Sequence, residues 1–247
     1  MRLQGEVAIV TGAGKGIGKE IALSIGKEGA TVIAVARTQS DLDQTVKEIE
    51  EAGGTAIALS RDLTDSAQVQ SMVDTVVEKY GKIDILVNNA GGYPREIYNN
   101  IEHQAIKIWD WTEEQWDQII KTNLKIPFLC TNKVIPVMIK QHKGKIVNIS
   151  SRMGRISSQM GAYACAKSAI ITLTKTTALQ AQEYGIQCNA IAPGILDTPG
   201  QRVYNHSVGQ DGCTMGNVDC MGKAALYLLC DTPAIMTGQV IDIWTAI

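Results

Sequence analysis

Short runs rich in β-branched residues alternate with longer segments of helical period along this 247-residue chain. The runs that predict strands cover residues 6–10, 31–36, 56–60, 83–88, 145–150, 186–191 and 239–244. Several of them are apolar almost throughout, as strands are when helices cover both faces of a sheet. The segments between them close near a glycine, as helices often do. The alternation predicts right-handed βαβ crossovers and an α/β fold with a doubly wound parallel sheet.

Composition sets the broad class of the protein. The chain is 45% apolar, has a net charge of −2 and carries no repeat, linker or charge block, so we expect one domain over residues 1–247. We expect no nucleic-acid partner, since the chain carries no basic block. We expect no membrane partner, since no apolar run reaches the roughly 18 residues of a membrane span. The absence of a signal-peptide pattern at the N-terminus predicts a cytoplasmic protein.

The cysteines are scattered along the chain without a C-x-x-C pair. They are Cys130, Cys165, Cys188, Cys213, Cys220 and Cys230. This spacing indicates neither a zinc site nor a disulfide framework, and no other metal site is expected. We expect reduced thiols that pack as small apolar groups.

A glycine-rich turn follows the first predicted strand and opens the first predicted helix. It contains Gly12, Gly16 and Gly18 within the sequence TGAGKGIG. Glycines allow the backbone to approach a pyrophosphate, which the amides and dipole of a helix N-terminus then bind. Because doubly wound sheets bind ligands at the carboxyl ends of their strands, this turn predicts a dinucleotide site.

The end of the second predicted strand bears on the choice of cofactor. Sites that select NAD usually carry an acidic residue there, but this strand ends in Ala36 and Arg37, and Lys15 lies in the glycine turn. Two cations suit a 2′-phosphate, which favours NADP(H), although both could be solvated surface residues. Asp62 could accept a hydrogen bond from an adenine amino group or cap the next helix, a role that Asp65 fits better.

Five motifs occur in an order that resembles the classical short-chain dehydrogenase/reductase family. They are TGAGKGIG (11–18), NNAG (88–91), NISS (148–151), YACAK (163–167) and IAPG (191–194). The resemblance extends across nearly the whole chain. It implies a Rossmann sheet of about seven strands, a nicotinamide cofactor and hydride exchange with an alcohol or carbonyl.

The tyrosine and lysine of the fourth motif are four residues apart, so on a helix they share one face. A tyrosine titrates near pH 10, and bringing it to neutrality requires about 4 kcal/mol of preferential phenolate stabilisation. Lys167 and the positive charge of an oxidised nicotinamide could supply much of this energy. The resemblance implies that Tyr163 is the general acid or base and that Lys167 also binds the nicotinamide ribose. An isolated pair of this kind is usually a packed aromatic residue with a snorkelling lysine.

The resemblance also implies a catalytic serine and a helix asparagine. Ser151 aligns best because it precedes RMG, although it lies twelve residues before Tyr163, one fewer than is typical, and Ser150 lies thirteen before it. Neighbouring strand residues point to opposite faces, so only one of the two serines can enter the site. We select Ser151, with Ser150 as the alternative. Asn123 matches the family's asparagine, whose kinked helix holds a water beside the lysine for proton relay.

Further cofactor contacts are implied by position in the family motifs. They add to the glycines of the turn, Lys15, Arg37, Asp62, Tyr163 and Lys167. The added residues are Gly14, Ile17, Leu63, Asn89, Ala90, Gly91, Pro193, Gly194, Leu196 and Thr198. Asn89 to Gly91 would line the ribose side, and the last four would border the nicotinamide carboxamide. The sequence DTP around Thr198 also reads as a simple turn.

Two irregular segments, 92–111 and 195–217, are expected to bound the substrate. Trp109 and Trp111 in the first could wall a pocket or cover the underlying helix. The second occupies the position of the family's mobile lid, and its polar composition favours a polar substrate. Four cations could meet an anionic substrate group, although each alone is more often a surface residue: Arg152, Arg155, Arg202 and His206.

These inferences favour an NADPH-dependent carbonyl reductase, similar to 3-oxoacyl carrier-protein reductases and to sugar and dicarbonyl reductases of the family. The alternatives are an NADP-binding sensor or scaffold without turnover and an epimerase or dehydratase. Retention of Tyr163 and Lys167 argues against the sensor, and the chain length argues against the epimerase. The resemblance also implies a homotetramer, or a homodimer, built partly on the helices around 112–140 and 159–184.

Overall fold

In a computed structural model, which describes residues 1–93, 106–156, 158, 160–207 and 209–244, seven parallel strands form one sheet. The spatial order is β3-β2-β1-β4-β5-β6-β7. The strands are β1 (Val7–Thr11), β2 (Thr31–Ala36), β3 (Thr55–Ser60), β4 (Ile85–Asn88), β5 (Gly144–Ile149), β6 (Ile186–Pro193) and β7 (Val240–Ile243). The predicted doubly wound α/β fold is confirmed, with each predicted strand overlapping an observed one.

Helices cover both faces of the sheet. They are α1 (Gly16–Lys27), α2 (Gln39–Glu51), α3 (Ser66–Tyr80), α4 (Glu113–Ile120), α5 (Ile126–Gln141), α6 (Gly161–Ala181), α7 (Pro199–Ser207) and α8 (Asp219–Leu226). Alternate strand residues feed the two cores: Ala8 and Val10 pack with α1, α2 and α8, whereas Val7 and Ile9 pack with α3, α5 and α6. Burial on both sides explains why the strands are apolar throughout.

The direction of the strand order reverses between β1 and β4. In doubly wound sheets the ligand site lies at this switch point, outside the carboxyl ends of the strands. Thr11 ends β1 and Asn88 ends β4, so the glycine turn and the NNAG motif meet there.

The two irregular segments are described in part. Residues 94–105 lie outside the described residues, and the remainder of the first segment holds a short 3₁₀ turn, Ile108–Asp110. The second segment contains α7, which the sequence did not predict. None of the described helices combines the length and apolar content of a membrane-spanning segment. All six cysteines are described, and none forms a disulfide.

Candidate active site

The glycine turn between β1 and α1 is shaped so that side chains cannot be added to it. Gly12 and Gly16 have φ angles of 66° and 56°, a region that favours glycine. A Cβ on Gly18 would lie 2.3 Å from the carbonyl oxygen of Gly12, and one on Gly14 would lie 2.9 Å from the Cβ of Asp41. The backbone at the start of α1 is therefore open to close approach by a pyrophosphate, and the residues fit a dinucleotide.

A hydrogen-bond network ties this turn to the end of β4. The Asn89 and Ala90 amides both donate to Thr11 Oγ1 at 3.0 Å, and Thr11 Oγ1 donates to the Val87 carbonyl at 3.1 Å. Asn89 Nδ2 donates to the carbonyls of Thr11 and Gly12 at 3.0 and 3.2 Å. Asn89, expected to line the ribose side, thus also holds the shape of the glycine turn.

The segment after β6 reaches across to the glycine turn. A Cβ added to Gly16 would lie 3.2 Å from the Cβ of Thr198, which places Thr198 directly over the turn. Thr198 Oγ1 also accepts from the Gln201 amide at 3.1 Å. It therefore stabilises the turn that the sequence DTP suggested, at the start of α7. Leu196 is buried and bridges to Gly216, which anchors this segment on both sides of α7.

The remaining predicted cofactor contacts follow strand ends. Ile17 packs on the core from α1, and Leu63 is buried just after β3. Pro193 ends β6, and the amide of the next residue, Gly194, donates to the Ile243 carbonyl at 3.0 Å. All four lie at the carboxyl side of the sheet, where the site was expected.

The region expected to meet the 2′-position of the adenine ribose contains a carboxylate that sequence reasoning missed. Lys15 Nζ lies 2.9 Å from Asp41 Oδ2, in the first turn of α2. Arg37 is exposed and lies near Asp62, where its charge helps to lower the pKa of that carboxyl. The main cause of that shift is the Thr64 amide, which donates to Asp62 Oδ1 at 3.0 Å. The next helix is capped by Asp65, as its sequence position suggested.

Tyr163 and Lys167 lie on one face of α6 at the carboxyl edge of β5. Lys167 Nζ is 5.6 Å from the centroid of the Tyr163 ring and donates to the Ile149 carbonyl at 3.0 Å. Burial lowers the pKa of Lys167 to about 8 and raises the pKa of Tyr163, while hydrogen bonding to Ser151 acts on Tyr163 in the opposite direction. The expected lowering of the Tyr163 pKa by Lys167 is therefore not seen in the protein alone, because the ammonium is bonded to a carbonyl and burial dominates.

The lowered pKa of Lys167 makes the stability of the protein depend on pH. Between about pH 8 and 10.5 the folded protein binds fewer protons than the unfolded chain, so its stability rises with pH in that range. We expect the free energy of unfolding, relative to Lys167→Met, to increase by about 3 kcal/mol across the interval. Urea unfolding at several pH values tests this, with exposed Lys175→Met on the same helix as the control. Parallel profiles for the wild type and Lys167→Met would contradict it.

The two serines of the NISS motif have different surroundings. Ser150 is buried, and its Oγ donates to the backbone carbonyl of Lys167 at 2.7 Å. Ser151 accepts at Oγ from the Met153 amide at 3.2 Å and is the serine that interacts with Tyr163. The geometry supports Ser151 as the residue of the site and gives Ser150 the task of fixing α6 against β5.

Asn123 lies in a π-helical turn, Lys121–Lys125, between α4 and α5. Such turns are frequent at functional sites, and this one interrupts the α-helical hydrogen-bond pattern where the sequence predicted a kinked backbone. The buried side chain clamps the backbone of Gly92: Nδ2 donates to its carbonyl and Oδ1 accepts from its amide, both at 2.8 Å. A Cβ on Gly91 would lie 2.8 Å from Asn123 Oδ1, so the end of the NNAG motif is fitted to this amide.

Aromatic side chains stand beside Tyr163. The ring of Tyr93 is 5.9 Å from that of Tyr163 and 6.4 Å from that of Trp111. Tyr204 of α7 is close enough to Tyr93 to affect its pKa, which burial raises. Trp111 therefore belongs to the aromatic group beside Tyr163, whereas Trp109 is exposed and the Lys107 ammonium lies over its ring. The sequence offered no signal for Tyr93 beyond its place after NNAGG.

The four cations considered for an anionic substrate group differ in their partners. Three have carboxylate partners: Arg155 pairs with Asp242 at 3.0 Å, Arg202 pairs with Asp197 at 2.7 Å, and His206 Nδ1 lies 3.2 Å from Asp211 Oδ2. Arg152 forms no ion pair with any described residue, and its guanidinium lies 5.9 Å from the ring centroid of Trp244. No group of three or more His, Cys, Asp or Glu residues in the described ranges is placed to hold a metal ion.

Comparison with known proteins places this geometry in context. A sequence model of the family described as short chain dehydrogenase matches residues 6–208. The 3-oxoacyl-(acyl-carrier-protein) reductase FabG of Thermotoga maritima is 39% identical, over 98% of this chain and 98% of that protein. A putative short-chain dehydrogenase/reductase of Burkholderia xenovorans, of known structure, is 33% identical with a TM-score of 0.85, over 98% of this chain and 96% of that one. A variant of actinorhodin polyketide ketoreductase with NADPH is 29% identical with a TM-score of 0.87, over 96% and 95%.

Proposed function

The chain belongs to the short-chain dehydrogenase/reductase family, and we propose that it is an NADPH-dependent reductase that converts a carbonyl into a secondary alcohol. Members of the family are oxidoreductases that bind a nicotinamide dinucleotide. The observation that carries the proposal is the grouping of Tyr163 with Ser151 and Lys167 at the carboxyl edge of the sheet, beside the glycine turn. An acid, an oxyanion donor and a cation in one place suit the reduction of a carbonyl.

In this proposal each side chain has a separate task. A bound nicotinamide supplies the hydride. Tyr163 donates its hydroxyl proton to the carbonyl oxygen, and Ser151 donates a hydrogen bond to the same oxygen as its negative charge develops. Lys167 stabilises the resulting phenolate by its charge from the same helix face. Asn123 holds Gly92 in place and so fixes the loop that carries Tyr93 against Tyr163.

The choice of NADPH rests on Arg37 and Lys15. Both cations lie beside the glycine turn and the end of β2, where a 2′-phosphate would be bound. The ion pair with Asp41 holds the Lys15 ammonium near this position, and the Asp41 carboxylate offsets part of the positive charge of Lys15. The actinorhodin ketoreductase, which resembles this chain, has a structure with NADPH. Arg37, which is exposed, is then the main cation for the phosphate.

Removal of the Asp41 charge tests this assignment. Asp41→Asn is expected to tighten NADPH binding by about 2- to 5-fold, because Lys15 is released from an exposed ion pair and a repelling carboxylate is lost. NADH affinity is expected to change by less than about 2-fold, since it lacks the phosphate. Fluorescence titration of both cofactors measures the effect, with Glu51→Gln at the far end of α2 as the control. Equal changes for NADPH and NADH would contradict the assignment.

The function itself is tested by titrating NADPH and NADH while energy transfer from tryptophan is recorded. A panel of carbonyl compounds is then scored for cofactor oxidation. Tight NADPH binding with turnover supports the proposal, and a preference for NADH refutes the choice of cofactor. Binding without turnover on the whole panel favours the sensor.

The homotetramer and the cytoplasmic location stay predictions. An apolar groove on α4 to α6, lined by Ile120, Leu124, Phe128 and Leu173, is the part of the described surface that a contact between subunits would cover. Phe128 is 48% exposed although it is a large apolar residue. Sedimentation velocity measures the assembly directly.

A further inference from the structure

Arg152 directly follows Ser151, the serine that interacts with Tyr163. Its Nε is shielded from solvent and has no hydrogen-bond partner among the described residues. A shielded N–H group without an acceptor is unfavourable, and each such group in a folded protein calls for an explanation. The other three basic residues considered above each contact a carboxylate, whereas Arg152 forms no ion pair with any described residue.

The surroundings of Arg152 hold its guanidinium at the site. Its Cζ lies 5.9 Å from the ring centroid of Trp244, a distance at which a cation is attracted to the face of an indole. Trp244 packs in turn on Gly194, since a Cβ added to that glycine would lie 2.7 Å from the Trp244 Cβ. Trp244 thus links the guanidinium to the end of β6, and among the described residues Arg152 Nε has no hydrogen-bond acceptor.

We propose that Arg152 binds a carboxylate of the substrate, so that the carbonyl compound reduced by this protein is a short oxo acid. The inference rests on the proposed function and names its substrate class. A guanidinium binds a carboxylate through two parallel hydrogen bonds, and a rotation of the Arg152 side chain that uncovers Nε would let Nε donate one of them. Ser151 and Arg152 are adjacent in the chain, with Cα atoms about 3.8 Å apart, so we expect one small molecule to be able to place its carbonyl at Ser151 and its carboxylate at Arg152.

Matched pairs of substrates test the inference. The panel contains 2-oxobutanoate, 3-oxobutanoate and 4-oxopentanoate, each with its methyl ester, and kcat/KM is measured for the wild type and Arg152→Gln. We expect the best acid to exceed its ester by at least about 10-fold in the wild type. Arg152→Gln is expected to lower kcat/KM for that acid about 30-fold and for the ester less than about 3-fold.

Arg155→Gln is the matched control, because Arg155 lies three residues on and is paired with Asp242. It is expected to leave the preference for the acid unchanged. A preference that survives Arg152→Gln, or that falls equally in Arg155→Gln, overturns the inference. So does an NADPH affinity that falls in Arg152→Gln as much as the acid activity, since the guanidinium would then serve the cofactor.

A binding measurement separates this inference from the proposed function. Calorimetric titration of each acid and ester into the protein with NADP⁺ reports substrate binding without turnover. Acid binding that is lost in Arg152→Gln, with no turnover of any carbonyl, supports the carboxylate site and refutes the reductase. Turnover of neutral carbonyls without acid binding retains the reductase and overturns the carboxylate site. Absence of both binding and turnover overturns both.

Discussion

Tyr163→Phe is expected to lower kcat for carbonyl reduction by about 10³-fold, because the variant lacks the hydroxyl that would protonate the carbonyl oxygen. The affinity for NADPH is expected to stay within about 3-fold of the wild type, since the ring remains against Tyr93 and below Lys167. The removed oxygen is one that burial has made harder to ionise. Because the hydroxyl also hydrogen-bonds to Ser151, its removal is expected to lower the free energy of unfolding by about 0.5–1.5 kcal/mol.

Single-turnover measurement of NADPH oxidation with a carbonyl compound that the wild type reduces gives the rate of the chemical step. Tyr227→Phe, at a tyrosine that is 44% exposed, controls for removal of a hydroxyl elsewhere. A Tyr163→Phe protein that kept more than about a tenth of the wild-type rate would refute the role of Tyr163 as the acid. A parallel loss of NADPH affinity would instead assign the hydroxyl to the cofactor.

Gly18→Ala is expected to weaken NADPH binding by about 100-fold, because the glycine turn cannot hold its shape around a new methyl group. The Cβ would lie 2.3 Å from both the Gly12 carbonyl oxygen and Asn89 Nδ2, so backbone as well as side chain must move. The same displacement breaks the hydrogen bonds from Asn89 to the carbonyls of Thr11 and Gly12. We expect a loss of about 1–3 kcal/mol in the free energy of unfolding, as overpacked sites show.

Fluorescence titration with NADPH and urea unfolding without cofactor separate the two effects. Gly212→Ala is the control, since no atom lies within 4 Å of the position of its Cβ and its φ is not positive. Wild-type NADPH affinity in Gly18→Ala would show that the backbone at this turn does not approach the cofactor. A loss of stability without a loss of affinity would assign Gly18 to packing of α1 alone.

The strands and the sheet could be predicted from the sequence because burial on two faces demands nearly continuous apolar runs. The run at 186–191 corresponds to β6, all of whose residues are buried. The segment 195–217 was harder to predict: its helix α7 has a polar sequence, begins where the Thr198 side chain accepts from the Gln201 amide, and is positioned by contacts of Thr198 with the glycine turn. The local sequence pattern could not predict those contacts, because Thr198 and the glycine turn are far apart in the chain.

The site shows the same division between local and long-range information. The spacing of Tyr163 and Lys167 places them on one helix face whatever surrounds them. The pKa of each depends on tertiary burial, which raises the pKa of Tyr163 and lowers the pKa of Lys167. Asp41 was missed because it lies 26 residues from Lys15 in the sequence, although the two are paired in space.

By itself the sequence determined the class of fold, the order of the motifs and a short set of candidate residues. These depend on local spacing and on the apolar periodicity that burial imposes. Only the tertiary structure decided which of two adjacent serines interacts with Tyr163, which of four basic residues has no carboxylate partner among the described residues, and which tryptophan contacts Tyr93. The physical reason is that side-chain contacts depend on distances between segments far apart in the chain. Strand pairing and the packing of helices on the sheet set those distances.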